Sequence, residues 1–149
     1  MDKKCDACDY LQAPKHQIIT TDYWSVGISN DQPYLGRAYC TLLKHKSSLG
    51  ELSSDEWNDL HAIFKELETR YRKAFGADVI NIECNMNHAF KTKPYNPHVH
   101  WHIYPRYSKP VEVAGELFED ALFGSHIDED LIRIVDDRVV DQIVAKLVQ

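Results

Sequence analysis

Asn96-Pro97-His98-Val99-His100-Trp101-His102-Ile103-Tyr104-Pro105-Arg106 is the stretch that decides the fold. Its three histidines alternate with Val99, Trp101 and Ile103. On a strand that alternation puts all three imidazoles on one face and the apolar residues on the other. Same-face neighbours lie roughly 7 Å apart, so two rings can grip one phosphate group while three cannot meet on one small atom. Chemistry on a sheet face is one reading. A metal cluster is the other, because histidine is the commonest side-chain metal ligand.

Working outward, Asp78–Cys84 has strand composition and is followed by a polar loop carrying Asn85, Asn87, Lys91, Lys93 and Pro94. Before it, Trp57, Leu60, Phe64, Leu67, Tyr71 and Phe75 recur at three- and four-residue steps, which predicts a helix with these residues on one face. Ser53 and Glu56 form a capping-box pattern at its start, and Gly76 marks its stop. Residues 17–29 read as one or two strands closed by the turn-like Asn30-Asp31-Gln32-Pro33, and Ala38–Leu43 reads as the next strand, joined by a hairpin. At the far end, Leu131, Val135, Val139, Ile143 and Leu147 predict a docked amphipathic helix over about 128–148 with an acidic start. Strands, a helix and more strands without βαβ alternation predict an α+β fold with an antiparallel sheet. With 149 residues and no repeat or linker, the chain is expected to form one domain.

Charge narrows the partners. Residues 1–111 hold 14 Lys/Arg against 13 Asp/Glu, whereas residues 112–149 hold 3 against 10. The near-neutral body lacks the basic field a nucleic-acid backbone requires, although a few local cations suffice for one small anion. No run approaches the length of about 20 apolar residues that spans a bilayer. The start, Met1-Asp-Lys-Lys-Cys-Asp, is too polar for a signal peptide. A cytoplasmic protein without membrane or nucleic-acid partners is expected, and in that reducing compartment Cys5-x-x-Cys8 reads as a metal or redox element rather than a crosslink. Cys40 and Cys84 lie in apolar runs and are expected to be packing residues.

His98-Val-His100-Trp-His102-Ile-Tyr104 resembles the His-φ-His-φ-His-φ-φ signature of the histidine-triad proteins, and Pro105-Arg106 is similar to the continuation in their dinucleoside-polyphosphate hydrolase branch. The order of segments over about residues 5–107 follows the same family. The resemblance implies a five-stranded antiparallel sheet with a long helix, here extended by the C-terminal segment of about 112–149. It implies that His100 is the nucleophile attacking an α-phosphorus, with His102 donating a hydrogen bond to a non-bridging oxygen. A neutral imidazole is nucleophilic near pH 7, and a covalent intermediate divides one difficult displacement into two.

By the same resemblance Asn87, eleven residues before His98, supports the phosphate or leaving group, and Asn30, or Asp31 if the alignment slips by one, contacts the ribose. Lys91 and Lys93 either bind the outer phosphates of a longer substrate or are solvated surface charges. Cys5, Cys8, His45 and His98 correspond to the ligands of a structural zinc, a closed Cys₂His₂ set with no open position. The glycine-bearing loop that many relatives carry before the triad has no counterpart in Asn87–Pro97. The implied activity is hydrolysis of dinucleoside polyphosphates or nucleoside phosphoramidates by a homodimer that needs no catalytic cofactor. Two alternatives remain, a nucleotidyl transferase and a non-catalytic nucleotide-binding partner protein.

Overall fold

The computed structural model describes residues 5–149; Met1–Lys4, the first part of the polar start, lie outside the described residues. The elements run α1 (Asp6–Gln12), β1 (Gln17–Thr20), β2 (Trp24–Ile28), β3 (Ala38–Leu42), α2 (Ser54–Phe75), β4 (Val79–Glu83), β5 (His100–Arg106), β6 (Val111–Val113), β7 (Glu116–Phe118) and α3 (Asp137–Leu147). The five long strands form one sheet in the order β1-β2-β3-β5-β4, antiparallel throughout. β6 and β7 form a separate hairpin. This is the α+β architecture expected from the sequence.

Register fixes what each face carries. Cys40 opposes Trp101 and Ala38 opposes Ile103 on the face covered by α2, where Trp57 and Phe64 stack edge-on to Trp101. Tyr39 opposes His102 and Thr41 opposes His100 on the other face. The period-two alternation of β5 thus separates core from site.

α2 starts where the sequence predicts. Ser53 Oγ accepts from the Glu56 N–H at 3.2 Å, and the Ser53 N–H donates to the Glu56 carboxylate at 2.6 Å. Gly76 closes the helix in the left-handed region at φ 70°. Leu60, Ile63, Leu67, Tyr71 and Phe75 form its buried stripe. Trp57 and Phe64 flank that stripe rather than belong to it: Trp57 is 38% exposed, and Ile63 takes the core position. Gly36, at φ 81°, has no room for a side chain, since a Cβ there would lie 2.4 Å from the Tyr71 ring. The Tyr71 hydroxyl donates to the Gly36 carbonyl at 2.6 Å, which ties helix to turn.

The C-terminal helix is shorter than predicted. It begins at Asp137, capped by the Asp136 side chain on the Val139 N–H at 3.0 Å, so residues 128–136 are not helical. Their backbone is taken by the β2–β3 turn instead. Gln32 N–H donates to the Arg133 carbonyl at 2.7 Å, Val135 N–H donates to the Asn30 carbonyl at 2.9 Å, and Asp31 bridges Ile134. Leu131 is consequently 41% exposed rather than part of an apolar face, while Val139, Val140, Ile143 and Leu147 dock α3 into the core. Two further elements escaped the sequence reading, α1 and the β6–β7 hairpin. Among the described residues no helix is long and apolar enough to cross a membrane.

Candidate functional site: an imidazole pair beside a Cys₂His₂ cluster

The face of the sheet that bears the histidines opens into a cavity of about 1290 Å³. His98, His100 and His102 line it together with Tyr39, Thr41 and Arg37 from or beside β3, Asn30 from the β2–β3 turn, and Asn85, Asn87 and Lys91 from the segment after β4. Glu129 reaches it from the C-terminal segment.

Hydrogen-bond partners assign the protons of the imidazole pair. His100 Nδ1 lies 2.7 Å from the His98 carbonyl, which can only accept, so Nδ1 carries the hydrogen and Nε2 keeps its lone pair. His102 Nε2 lies 3.3 Å from the Asn85 carbonyl and 3.1 Å from His100 Nε2. The same rule puts a hydrogen on His102 Nε2. A nucleophilic nitrogen and a neutral donor therefore face one another. Burial, with the neighbouring His100 and then Arg37 acting in the same direction against the Asn85 contact, brings His102 down from 6.5 to about 4 and keeps it neutral near pH 7.

The third histidine has a different environment. His98 is buried, and its Nε2 donates to the Leu42 carbonyl at 2.7 Å, which leaves the Nδ1 lone pair facing Cys5 and Cys8. From His98 Nδ1 the Cys5 Sγ lies 3.3 Å away, the Cys8 Sγ 3.5 Å and the His45 Nδ1 3.1 Å. All four ligand atoms lie within 4.8 Å of one another. A tetrahedral zinc with Zn–N near 2.0 Å and Zn–S near 2.3 Å has ligand–ligand edges of about 3.3–3.8 Å. The donor set fits that ion, and the Leu42 carbonyl supplies the outer hydrogen bond that holds a ligating imidazole in the right tautomer. Burial and then the adjacent Cys5 thiol push Cys8 up to about 11, so a thiolate pair here calls for a cation. α1 completes the arrangement: Cys5 caps it, accepting from the Cys8 N–H at 3.4 Å.

The remaining predicted residues divide. Asn30 lines the cavity, with its amide donating to Asp137 at 2.8 Å. Asp31 is turned away from the lining: one oxygen pairs with Arg37 and the other accepts from the Arg133 N–H at 2.8 Å. Asn87 and Lys91 reach the cavity wall from exposed positions, whereas Lys93 lies over the Tyr95 ring at 5.8 Å and does not line it. Arg106 points away from the chemistry, buried in an ion pair with Asp120 and bonded to the Leu122 and Ser125 carbonyls. Tyr39 and Glu129 escaped the sequence reading, which placed Asn85 in the polar loop without assigning it a contact. The Arg37-Ala-Tyr39-Cys-Thr41 alternation was the available signal for Tyr39; for Glu129 there was none.

A sheet in this order, one long helix on its back and paired imidazoles on its front define the class: the fold is that of the histidine-triad proteins. A hypothetical histidine triad nucleotide-binding protein from Sulfolobus tokodaii strain7 superposes with a TM-score of 0.68 at 14% identity, over 96% of this chain and 89% of that one. A zinc-bound histidine triad family protein from Mycobacterium smegmatis gives 0.63 at 20% identity, over 97% and 93%. Diadenosine triphosphate hydrolase of Plasmodium falciparum gives 0.54 at 22% identity over 66% of each chain. No protein-family model and no curated protein matches the sequence.

Proposed function

We propose that the protein is a nucleotide hydrolase that cleaves at the α-phosphate of dinucleoside polyphosphates or nucleoside phosphoramidates through a nucleotidyl-histidine. The observation that carries the proposal is the proton arrangement of the imidazole pair, with the His100 Nε2 lone pair facing a neutral N–H on His102 3.1 Å away and both rings lining the cavity. His100 Nε2 attacks the α-phosphorus, a P–N bond forms, and the bond to the leaving group breaks with its electron pair departing on that group. Water then attacks the same phosphorus, the P–Nε2 bond breaks, the water's proton passes to solvent, and the monophosphate is released. The His102 N–H, freed from Asn85, donates to a non-bridging oxygen as charge builds there.

In this reading Asn30 serves the ribose, either directly or with Asp31 positioning the turn through Arg37. Asn87 and Lys91 approach the phosphates, with Lys93 at the outer rim. The Cys5, Cys8, His45 and His98 set holds a structural zinc, a role supported by the zinc-bound neighbour and by the absence of any open ligand position in a four-donor set. Residues 1–149 form one cytoplasmic domain that pairs into a homodimer. A transferase, in which a second phosphate intercepts the intermediate, is disfavoured by His102, because the uridylyltransferase branch resembled in Asn96-Pro-His98 ends its motif in glutamine.

The test compares the purified protein with its His100→Ala variant on adenosine phosphoramidate, diadenosine tri- and tetraphosphate and a nucleoside diphosphate sugar, following release of nucleoside monophosphate. Release by the wild type, with at least a thousandfold loss in the variant, is expected. Nucleotide binding by both proteins without turnover by either would replace the hydrolase with a binding protein.

A further inference from the structure

We propose that α1 is a wall of the nucleotide cavity and that the Cys₂His₂ cluster holds it there, so that the cation and the nucleotide raise each other's affinity. The proposal deepens the nucleotide reading above and rests on it, but it does not depend on hydrolysis.

The register of the sheet sets where the helix lies. Gly27 of β2 opposes Tyr39 of β3, and Tyr39 opposes His102 of β5. Directly paired residues of antiparallel strands share a face, so these three positions form one row across the histidine face. Gly27 leaves a gap in that row, and the Tyr10 side chain of α1 fills it. A Cβ on Gly27 would lie 2.2 Å from the Tyr10 oxygen, so the hydroxyl rests on the bare backbone of β2. From there it donates to the Lys15 carbonyl at 3.0 Å.

The other end of α1 is tied to the first histidine of the triad. Cys5, its cap, and Cys8, in its first turn, face His98 Nδ1 at 3.3 and 3.5 Å. A helix of seven residues is about 10 Å long, so α1 crosses the histidine face from the entrance of β5 to β2. Ala7, Tyr10 and Ala13 recur at three-residue steps, and with Cys5 they line the cavity. Asn30, the residue proposed to serve the ribose, lines it only three positions beyond Gly27, so α1 adjoins the nucleoside end.

No residue of α1 is buried, so the helix has no core of its own to keep it on the sheet. Without an ion the cluster joins it to the sheet only through weak thiol–imidazole contacts, whereas a bound cation replaces these with metal–ligand bonds. A ligand that touches α1 in place binds only the fraction of molecules in which the wall is formed. Filling the cluster raises that fraction, and linkage then requires the nucleotide to tighten cation binding by the same factor. The His98 carbonyl, which accepts from His100 Nδ1, is a second link between cluster and site. Tyr10 takes no part in that bond, so the two links can be separated.

The test measures AMP binding by calorimetry to the wild type and to Tyr10→Ala, each zinc-loaded and zinc-free. Zinc affinity is measured alongside, by competition with a chromophoric chelator, with and without saturating AMP. Tyr10 is exposed and alanine favours helix, so the substitution leaves the core untouched. In the wild type, zinc should tighten AMP binding about five- to twentyfold, and AMP should tighten zinc binding by the same factor. Zinc-loaded Tyr10→Ala should bind AMP at least about fivefold more weakly, and in it the two ligands should act independently to within about twofold. Equal AMP affinity of the zinc-loaded and zinc-free wild type overturns the proposal. So does coupling of wild-type size in Tyr10→Ala, which would route it through His98 and His100 alone, and so does a protein that takes up no zinc. Where the zinc-free protein loses its sheet by circular dichroism, the zinc-loaded pair decides: a loss of AMP affinity in Tyr10→Ala upholds the wall, and an unchanged affinity overturns it. Failure of AMP to bind any form removes the nucleotide reading as well, whereas AMP binding that ignores both zinc and Tyr10 removes this proposal alone.

Discussion

His102 lies in a pocket that opposes its protonated form, and this has a consequence for stability as well as for chemistry. The folded ring titrates at about 4 and the unfolded ring at 6.5, so between these values only the unfolded chain takes up the proton. The contribution is complete above pH 6.5 and declines as the pH falls toward 4. Allowing for the partial exposure of the ring, the wild type should lose about 1–2 kcal/mol more than His102→Gln between pH 7 and 4.5. Denaturant titrations at the two pH values measure this, and equal losses would refute the assignment. The residue scale is also where the sequence was least complete. Strand alternation was enough to place His100 and His102, because a period of two needs no partner. The eleven-residue spacing led to Asn87, which lines the cavity, but it carried no signal for the Asn85 carbonyl on His102, since contact with β5 is set by where β4 ends rather than by distance along the chain.

At the scale of elements, α2 was legible because every device that makes it is local. Its cap, its apolar period and its stop lie within its own residues and their immediate neighbours. The capping box has acquired a tertiary duty as well: the Glu56 carboxylate is buried and also accepts from Lys46 Nζ at 2.6 Å, and its backbone carbonyl takes the Trp24 indole N–H at 2.9 Å. Ser53→Ala should therefore cost about 1 kcal/mol, as an ordinary cap does, whereas Glu56→Ala should cost about 2–4 kcal/mol by also taking the counter-ion from a mostly buried lysine, which keeps only the Glu51 carbonyl. Comparable losses in thermal or chemical denaturation would show that the cap acts alone. The C-terminal helix was misjudged for the opposite reason. Leu131 and Val135 have helical spacing relative to Val139, but the backbone between them is claimed by Asn30–Gln32, and such a claim leaves no local signature.

Across the whole molecule, the cluster of Cys5, Cys8, His45 and His98 joins α1, the segment after β3 and the entrance to β5 at one point. A zinc there would link parts of the chain that share little other packing, because α1 has no buried residue of its own. Removing the metal with a strong chelator should lower Tm by several degrees and release about one zinc per chain by elemental analysis, and added zinc should restore it. Cys8→Ala should start from the lower Tm and ignore the chelator. An unchanged Tm in the wild type would set the metal aside. Spacing alone marked Cys5 and Cys8 as a metal or redox pair, whereas His45 and His98 joined them only through family likeness, since nothing in the sequence states that the four positions meet.

The seam between the β2–β3 turn and the C-terminal segment also sets an order in time. A chain synthesised as far as Arg106 already contains every residue of the five-stranded sheet and both imidazoles. It lacks the distant partners of Asn30, Asp31 and Gln32, which lie about a hundred positions further along, and it lacks Glu129, which arrives with them. Contacts between such distant positions form late, because closing a long loop comes before any gain from it. The imidazoles are thus the early part of the site, and the cavity wall contributed by the C-terminal segment is the last part to be built.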